Sequence, residues 1–384
     1  MKEKKPSSRP LRWISCPVEE EFLGENRKEA KIERKRIQSK DRSKYKKTDQ
    51  EKYIKSVEED LQAKLSGQSL LEGRVLSILP QGILVDWEGR QYSCILKGLL
   101  KKEKTHAKNL IAVGDFVLFE KTGENEGIIA HVKPRITFLS RADNLSRRKE
   151  QLIAVNIDQV LITVSVMNPP LKIPIIDRYI IATQKGGMKP IIIVNKIDLL
   201  RDENQPEKSE FEQEIFQEAV EAYRAAGVTL ISVSASTGEG IEALKEVMKN
   251  KASVFSGQSG VGKSSLINTV ANLNVRVGEV VEKTGKGAHT TTTTNLIPLE
   301  CGGWCIDTPG IKSFGIWNLS EEEVQGYFPE IQRIGLECQF TNCTHTHEEH
   351  CAVLIALEEG RLSPLRFDSY QALMASIKAS HVRR

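Results

Sequence analysis

The chain has 384 residues and a formal charge of +4, with 28% charged and 39% hydrophobic residues, which leaves room for two or three domains with an ample core. No apolar run approaches the roughly 20 residues of a membrane span, and the opening MKEKKPSSRP lacks the apolar stretch of a secretory signal. Seven cysteines, three of them clustered near the C-terminus, speak against a disulfide framework and for a cytoplasmic protein with a metal site.

Residues 1–65 form a charged N-terminal extension. Residues 1–60 hold 18 Lys/Arg against 13 Asp/Glu, whereas the rest of the chain holds 37 against 38. The excess positive charge therefore lies in this extension. It reads either as a solvated arm or as a basic arm for RNA, since cationic clusters gain affinity by releasing phosphate counterions. Glu and Asp interrupt the basic run repeatedly, so both readings stay open.

Between residues 66 and 137 come five short β-rich runs, GRVLSIL, GILVDWEG, RQYSCIL, GDFVLFE and GIIAHV, punctuated by turn residues. They predict an all-β, OB-type barrel, a fold often used on nucleic acid but not diagnostic of it. Trp87 in this segment and Trp304 further on read as core residues.

Residues 138–315 alternate apolar strands with helices. QVLITVSV and PIIIVNKID are near-continuous apolar runs, as expected for parallel strands buried on both faces. Residues 207–226 read as a helix between strands. The prediction is an α/β doubly wound sheet with ligand elements at the carboxyl ends of its strands. Residues 316–384 read as helical at both ends around a Cys/His knot.

Five motifs fall in the α/β segment, in chain order. NKID occupies Asn195–Asp198. SAS occupies Ser234–Ser236. GQSGVGKSS occupies Gly257–Ser265, a Thr-rich stretch runs from His289 to Thr294, and DTPG spans Asp307–Gly310. The GxxxxGK[ST] pattern after a strand and before a helix is a phosphate loop. Backbone N–H groups across Gly257, Gln258, Ser259, Gly260, Val261 and Gly262, aided by the following helix dipole, suit phosphate oxygens. Lys263 is placed for the β- and γ-phosphates, with Ser264 for magnesium and Ser265 beside it. Asp307 is expected to hold the same Mg²⁺, and Gly310 to offer its N–H to the γ-phosphate.

NKID supplies base choice. The Asp198 carboxylate can accept from N1–H and the exocyclic amine of guanine, a donor pair that adenine lacks. Asn195 is expected to buttress the base, Lys196 to lie along the ring beside Ile197, and Ser234 and Ala235 to support the base edge. In the usual GTPase the phosphate loop comes first. Here it comes after NKID and SAS, so the chain reads as a circularly permuted P-loop GTPase, cut between DTPG and NKID with the old ends joined.

The hydrolytic apparatus departs from the Ras pattern, which has Gln directly after the DxxG glycine. Ile311 stands there and cannot hydrogen-bond water, which predicts slow intrinsic hydrolysis. His289 either orients the attacking water or is an ordinary loop residue. One threonine from Thr290 to Thr292, with Thr291 as the candidate, is expected to ligate Mg²⁺; spacing does not choose among them.

Cys338, Cys343, His345 and Cys351 form C-x4-C-x-H-x5-C, which fits a closed tetrahedral Zn²⁺ site. His347 and His350 leave the choice of histidine open at this point. A redox dithiol is the competing reading, but no CxxC is present. Cys16, Cys94, Cys301 and Cys305 read as ordinary thiols.

Taken together, NKID, GQSGVGKSS, DTPGIKSFG and CQFTNCTHTHEEHCAV resemble the ribosome small-subunit-dependent GTPase A family of bacterial circularly permuted GTPases, over about residues 66–384. The resemblance implies an OB barrel, a permuted G domain and a mainly helical zinc-binding domain in one monomeric chain. It implies GTP hydrolysis stimulated by the small ribosomal subunit and action late in that subunit's maturation near the rRNA decoding region; release after hydrolysis is a further expectation. By the same resemblance His289 is the switch I histidine, and Cys338, Cys343, His345 and Cys351 are the zinc ligands. Two departures stand out. Ala288 replaces an Arg usual in the family, and the N-terminal extension exceeds the family's typical start. The rival readings are a nucleotide-gated RNA-binding adaptor with little hydrolysis and a tRNA-directed GTPase. A further expectation is that γ-phosphate contacts reposition the zinc domain relative to the barrel, making GTP the clamped state.

Overall fold

Alternating burial closes the first segment into a barrel. In the computed structural model, which describes residues 70–97, 110–143, 146–201, 206–272, 294–307 and 321–382, strands β1 (Leu71–Leu79), β2 (Gly82–Trp87), β3 (Arg90–Leu96), β4 (Phe116–Lys121) and β5 (Glu126–Val132) close in the order β1-β2-β3-β5-β4. Along β3, Tyr92 and Cys94 are buried while Ser93 and Ile95 face out, the two-residue period of a strand with one face in the core. Val75, Val85, Tyr92, Phe119 and Ile129 fill the interior. The parallel β3–β5 contact completes the ring, consistent with the OB-type barrel expected. Trp87 and Trp304 are corrected from core to core edge. Both are partly buried and pack against the core clusters, and each ring has a cation beside it, Lys121 Nζ 4.3 Å from the Trp87 centroid and Arg74 Cζ 5.7 Å from that of Trp304.

A hairpin that the sequence reading did not single out follows the barrel, β6 (Phe138–Asp143) against β7 (Ser146–Val155). Its second strand opens SRRKEQ, a polar run with no alternation to announce it. The end of the hairpin ties barrel to sheet. Val155 N donates to Val113 O at 2.9 Å, and Asn156 Oδ1 accepts from Ile136 N at 2.9 Å. Arg74 of β1 donates to Asn156 O at 2.7 Å.

The α/β part is one six-stranded sheet built from β8 (Gln159–Ser165), β9 (Lys189–Asn195), β10 (Thr229–Ser232), β11 (Ala252–Ser256), β12 (Asn295–Pro298) and β13 (Trp304–Asp307), in the order β10-β9-β8-β11-β13-β12. All neighbours are parallel except β12 with β13. Every residue of β8 and β11 is buried, as expected of parallel strands covered on both faces. Helices α1 (Ile173–Lys185), α2 (Pro206–Ala225), α3 (Ile241–Met248) and α4 (Lys263–Ala271) cover the two faces. Val160, Ile162 and Val164 pack with Ile176 and Ile180 of α1, whereas Leu161 packs with Leu244 of α3 and Leu266 of α4. The strand before the phosphate loop, β11, thus lies at the sheet centre although three sheet strands precede it in sequence.

The C-terminal part comprises α5 (Glu321–Gly326), α6 (Pro329–Gly335), α7 (Ala352–Glu358) and α8 (Pro364–Val382). Ile181 of α1 joins its core beside Phe328, Ile331 and Tyr370. No helix among the described residues is long and apolar enough to cross a membrane. The expectations for the N-terminal extension, Ala288, His289, Thr290–Thr292, Gly310 and Ile311 lie outside the described residues.

Candidate nucleotide site and metal centre

The carboxyl ends of β9, β10, β11 and β13 carry the predicted ligand elements, and side-chain hydrogen bonds lock several of them to one another. Asn195, at the end of β9, is 1% exposed. Its Nδ2 donates to Val261 O of the phosphate loop at 2.9 Å, and its Oδ1 accepts from Ala235 N at 3.1 Å. One carboxamide therefore joins NKID, SAS and the phosphate loop. A β-carbon on Gly262 would fall far inside van der Waals contact with Asn195 Nδ2, and Gly262 also has φ +93°. Only glycine suits that position.

Lys196, in the left-handed region at φ +65°, donates from Nζ to the carbonyls of Asn168 and of Gly260, the latter at 2.8 Å. Ile197 opens a short 3-10 turn, Ile197–Arg201, that presents Asp198. Asp198 Oδ1 is buried and has no hydrogen-bond partner among the described residues. An acceptor buried without a partner costs free energy, so this oxygen suits a donor brought by a ligand, as guanine N1–H or its amine would be. Ser234 Oγ lies 2.9 Å from Ser236 Oγ and accepts from Thr237 N at 3.2 Å, which shapes the SAS turn.

Gly257 leaves β11, and Gln258 to Val261 arch over the start of α4. Lys263 Nζ donates to Gly257 O at 2.9 Å and Gln258 O at 2.6 Å, placing its ammonium within the loop. Helix α4 starts without a side-chain cap and without an acidic residue in its first turn, so its N-terminal N–H groups and positive dipole end suit an anion. Ser264 and Ser265 lie in that first turn. Asp307 ends β13, which pairs in parallel with β11. The two candidate Mg²⁺ ligands Ser264 and Asp307 thus lie at or just beyond the carboxyl ends of adjacent strands. Ser259 and Gly260 are exposed at the mouth.

The second cluster lies between α6 and α7. The ligand atoms of Cys338, Cys343, His345 and Cys351 all fall within 4.8 Å of one another. Cys338 Sγ to Cys351 Sγ is 3.9 Å, Cys338 Sγ to His345 Nδ1 is 3.6 Å, and His345 Nδ1 to Cys351 Sγ is 3.4 Å. A tetrahedron with metal–sulfur bonds near 2.3 Å has edges of about 3.8 Å, so the donor set fits a four-coordinate soft-ligand metal. Burial, the largest cause, pushes the Cys343 thiol up to about 12. The structure separates the three histidines, because His345 is 1% exposed whereas His347 and His350 face solvent.

Two supporting residues escaped the sequence reading. Gln325 of α5 puts its carboxamide 3.0 Å from His345 Nε2; with Nδ1 turned to the cluster, Nε2–H donates and a carboxamide oxygen is its natural acceptor. Glu348 accepts from Thr344 N at 2.6 Å and from Thr346 N at 2.9 Å, and so shapes the loop around His345. Gln325 had no sequence signal, being twenty residues away on another helix.

A phosphate loop that follows its base-reading loop in sequence, on a sheet of this order, defines a circularly permuted GTPase. The profile of the RsgA GTPase family matches residues 132–317. The small ribosomal subunit biogenesis GTPase RsgA of Chlorobaculum parvum is 40% identical over 283 residues, 71% of this chain and 88% of that protein. The protein of the same name from Haemophilus influenzae is 36% identical over 302 residues, 77% of this chain and 82% of that one. Two solved structures are similar over about four fifths of this chain. YloQ, a circularly permuted GTPase, has a TM-score of 0.63 at 27% identity, over 82% of this chain and 96% of that one. YjeQ from Thermotoga maritima has a TM-score of 0.62 at 30% identity, over 80% of this chain and 98% of that one. The chain belongs to the RsgA GTPase family and is a GTP hydrolase.

Proposed function

We propose that this protein is a cytoplasmic GTPase that acts on the small ribosomal subunit during its biogenesis, binds its rRNA and leaves after hydrolysis. The observation that carries the reading is the Asn195 carboxamide, which joins base-reading, base-supporting and phosphate loops into one site in a chain 40% identical to a small ribosomal subunit biogenesis GTPase.

In this reading Asp198 accepts from guanine, Lys196 lies along the ring, and Ala235 supports the base edge. Backbone N–H groups from Gln258 to Ser265 and the Lys263 ammonium hold the phosphates. Ser264, Thr291 and Asp307 would hold Mg²⁺, which supplies charge neutralisation on the β- and γ-phosphate oxygens. His289 orients the attacking water, and Gly310 reports the γ-phosphate. Zinc is the metal that the three thiolates and one imidazole favour, and it would serve as a structural staple.

In sequence only residues 308–320 separate Asp307 from α5 at Glu321, so the element expected to sense γ-phosphate adjoins the Cys/His-bearing segment along the chain. GTP is then the state that grips the subunit and GDP the state that releases it. Co-sedimentation with purified small subunits tests this reading. Retention with a nonhydrolysable GTP analogue and loss with GDP is the expected result. Equal retention in both states would defeat the release scheme, and no retention in either would defeat the partner.

A further inference from the structure

Strand β8 ends beside the base-reading loop. Ser165, its last residue, is in register with Asn195 of β9, and Val166 N donates to Asn195 O at 3.2 Å. The chain then turns through Asn168 and Pro169 before α1 begins at Ile173. Three contacts set this turn against the nucleotide elements. The Ser165 hydroxyl, on a side chain 1% exposed, donates to Pro169 O at 2.7 Å. The Asn168 carbonyl accepts from Lys196 Nζ, the same ammonium that Gly260 O holds at 2.8 Å. A β-carbon added to Gly260 would rest 3.7 Å from Pro169 Cδ, so the proline ring lies about one methyl group away from the phosphate loop.

We propose that Ser165 and the Asn168–Pro169 turn are positioning elements of the nucleotide site. The Ser165 hydroxyl pins the turn, so that the Asn168 carbonyl, with that of Gly260, fixes the Lys196 ammonium and lays its alkyl chain along the guanine ring. This rests on reading NKID as the guanine-binding loop. None of the five motifs includes the turn. A free lysine side chain has many rotamers to lose on binding a ligand. Two carbonyls that hold its end in place beforehand remove that cost from the binding step, which is preorganisation. The hydroxyl acts through a backbone carbonyl, so its effect on nucleotide must pass through Lys196.

The test is a double-mutant cycle on the full chain with a fluorescent GDP analogue, using Ser165→Ala, Lys196→Met and the double variant. Loss of one hydrogen bond corresponds to roughly a 5- to 10-fold change. Ser165→Ala should therefore speed GDP dissociation by about that factor when Lys196 is present and by less than about 2-fold in the Lys196→Met background. The same factor in both backgrounds, or no effect in either, would overturn the proposal. Melting of nucleotide-free protein reports folding. If Ser165→Ala does not fold, Ser165→Cys, whose thiol donates only weakly, replaces it; a smaller acceleration is then expected, and it must still vanish in the Lys196→Met background, the same factor in both backgrounds or no effect in either again overturning the proposal. An unmodified chain that fails to bind GDP would overturn the guanine reading itself, a result distinct from either arm of the cycle.

Discussion

Arg366 of α8 and Asp177 of α1 form an ion pair that is almost wholly dry, with side chains 3% and 1% exposed. Arg366 Nε also holds Glu330 at 2.7 Å, and the guanidinium lies 4.3 Å from the Phe328 ring centroid and 5.2 Å from that of Tyr223. Tyr223 of α2 donates its hydroxyl to Asp177 at 3.0 Å. The pair joins the helices around the Cys/His cluster to the two helices on one face of the GTPase sheet. The start of α1 follows directly from the turn that holds Lys196, so the same helix meets the nucleotide site and the C-terminal domain.

Removal of one partner of a buried pair leaves a charge without compensation. Arg366→Met should destabilise the protein by about 3–5 kcal/mol, whereas Asp177→Leu combined with Arg366→Met should recover much of the loss. Urea unfolding of the two variants beside the parent checks this. A single variant that unfolds at the same urea concentration as the parent would show that the pair contributes nothing.

Gly335 of α6 faces the support of the metal cluster. An added β-carbon would lie 2.6 Å from Gln325 Nε2 and 3.2 Å from His345 Cε1, so Gly335→Ala must push Gln325 off the imidazole. Loss of such an outer partner costs metal sites roughly 10- to 100-fold in affinity. Competition for Zn²⁺ against a chromophoric chelator should show a weakening in that range. Chelation of the parent protein should lower the melting temperature of the C-terminal domain.

Asp198→Asn replaces a carboxylate acceptor with an amide that can donate. Guanine then loses its paired acceptor, and a 2-oxo purine gains a donor. Affinity for GDP should fall by on the order of 100-fold while xanthosine diphosphate gains relative to it. Competitive displacement of a fluorescent nucleotide measures both. An unchanged GDP affinity would remove Asp198 from base recognition.

His289→Ala should leave nucleotide affinity within about 2-fold, since the side chain is assigned to water and not to phosphate, and should lower stimulated hydrolysis by about 100-fold or more. Lys263→Ala should abolish productive GTP binding. Equal stimulated rates for parent and His289→Ala would strip the histidine of its role.

Much of this architecture is legible in the sequence because its chemistry is local. A phosphate loop needs glycines and a lysine at fixed offsets, buried parallel strands such as β8 and β9 favour near-continuous apolar runs, and the barrel needs alternation like that of Tyr92 and Cys94. What escaped is what acts at a distance or through backbone. Ser165 sits inside an apolar run and works through a carbonyl that any residue could supply. Arg366 reads as one more basic residue on a helix until the fold brings it to Asp177, 189 positions away. The β6–β7 hairpin is polar where its second strand begins, so no two-residue period marks it.

Steady-state GTP hydrolysis with and without purified small ribosomal subunits, with large subunits and ATP as controls, tests the central claim most directly. The account predicts slow GTP turnover alone, strong stimulation by small subunits, little by large subunits and no turnover of ATP. Intact GTP binding with no stimulation by small subunits would contradict it.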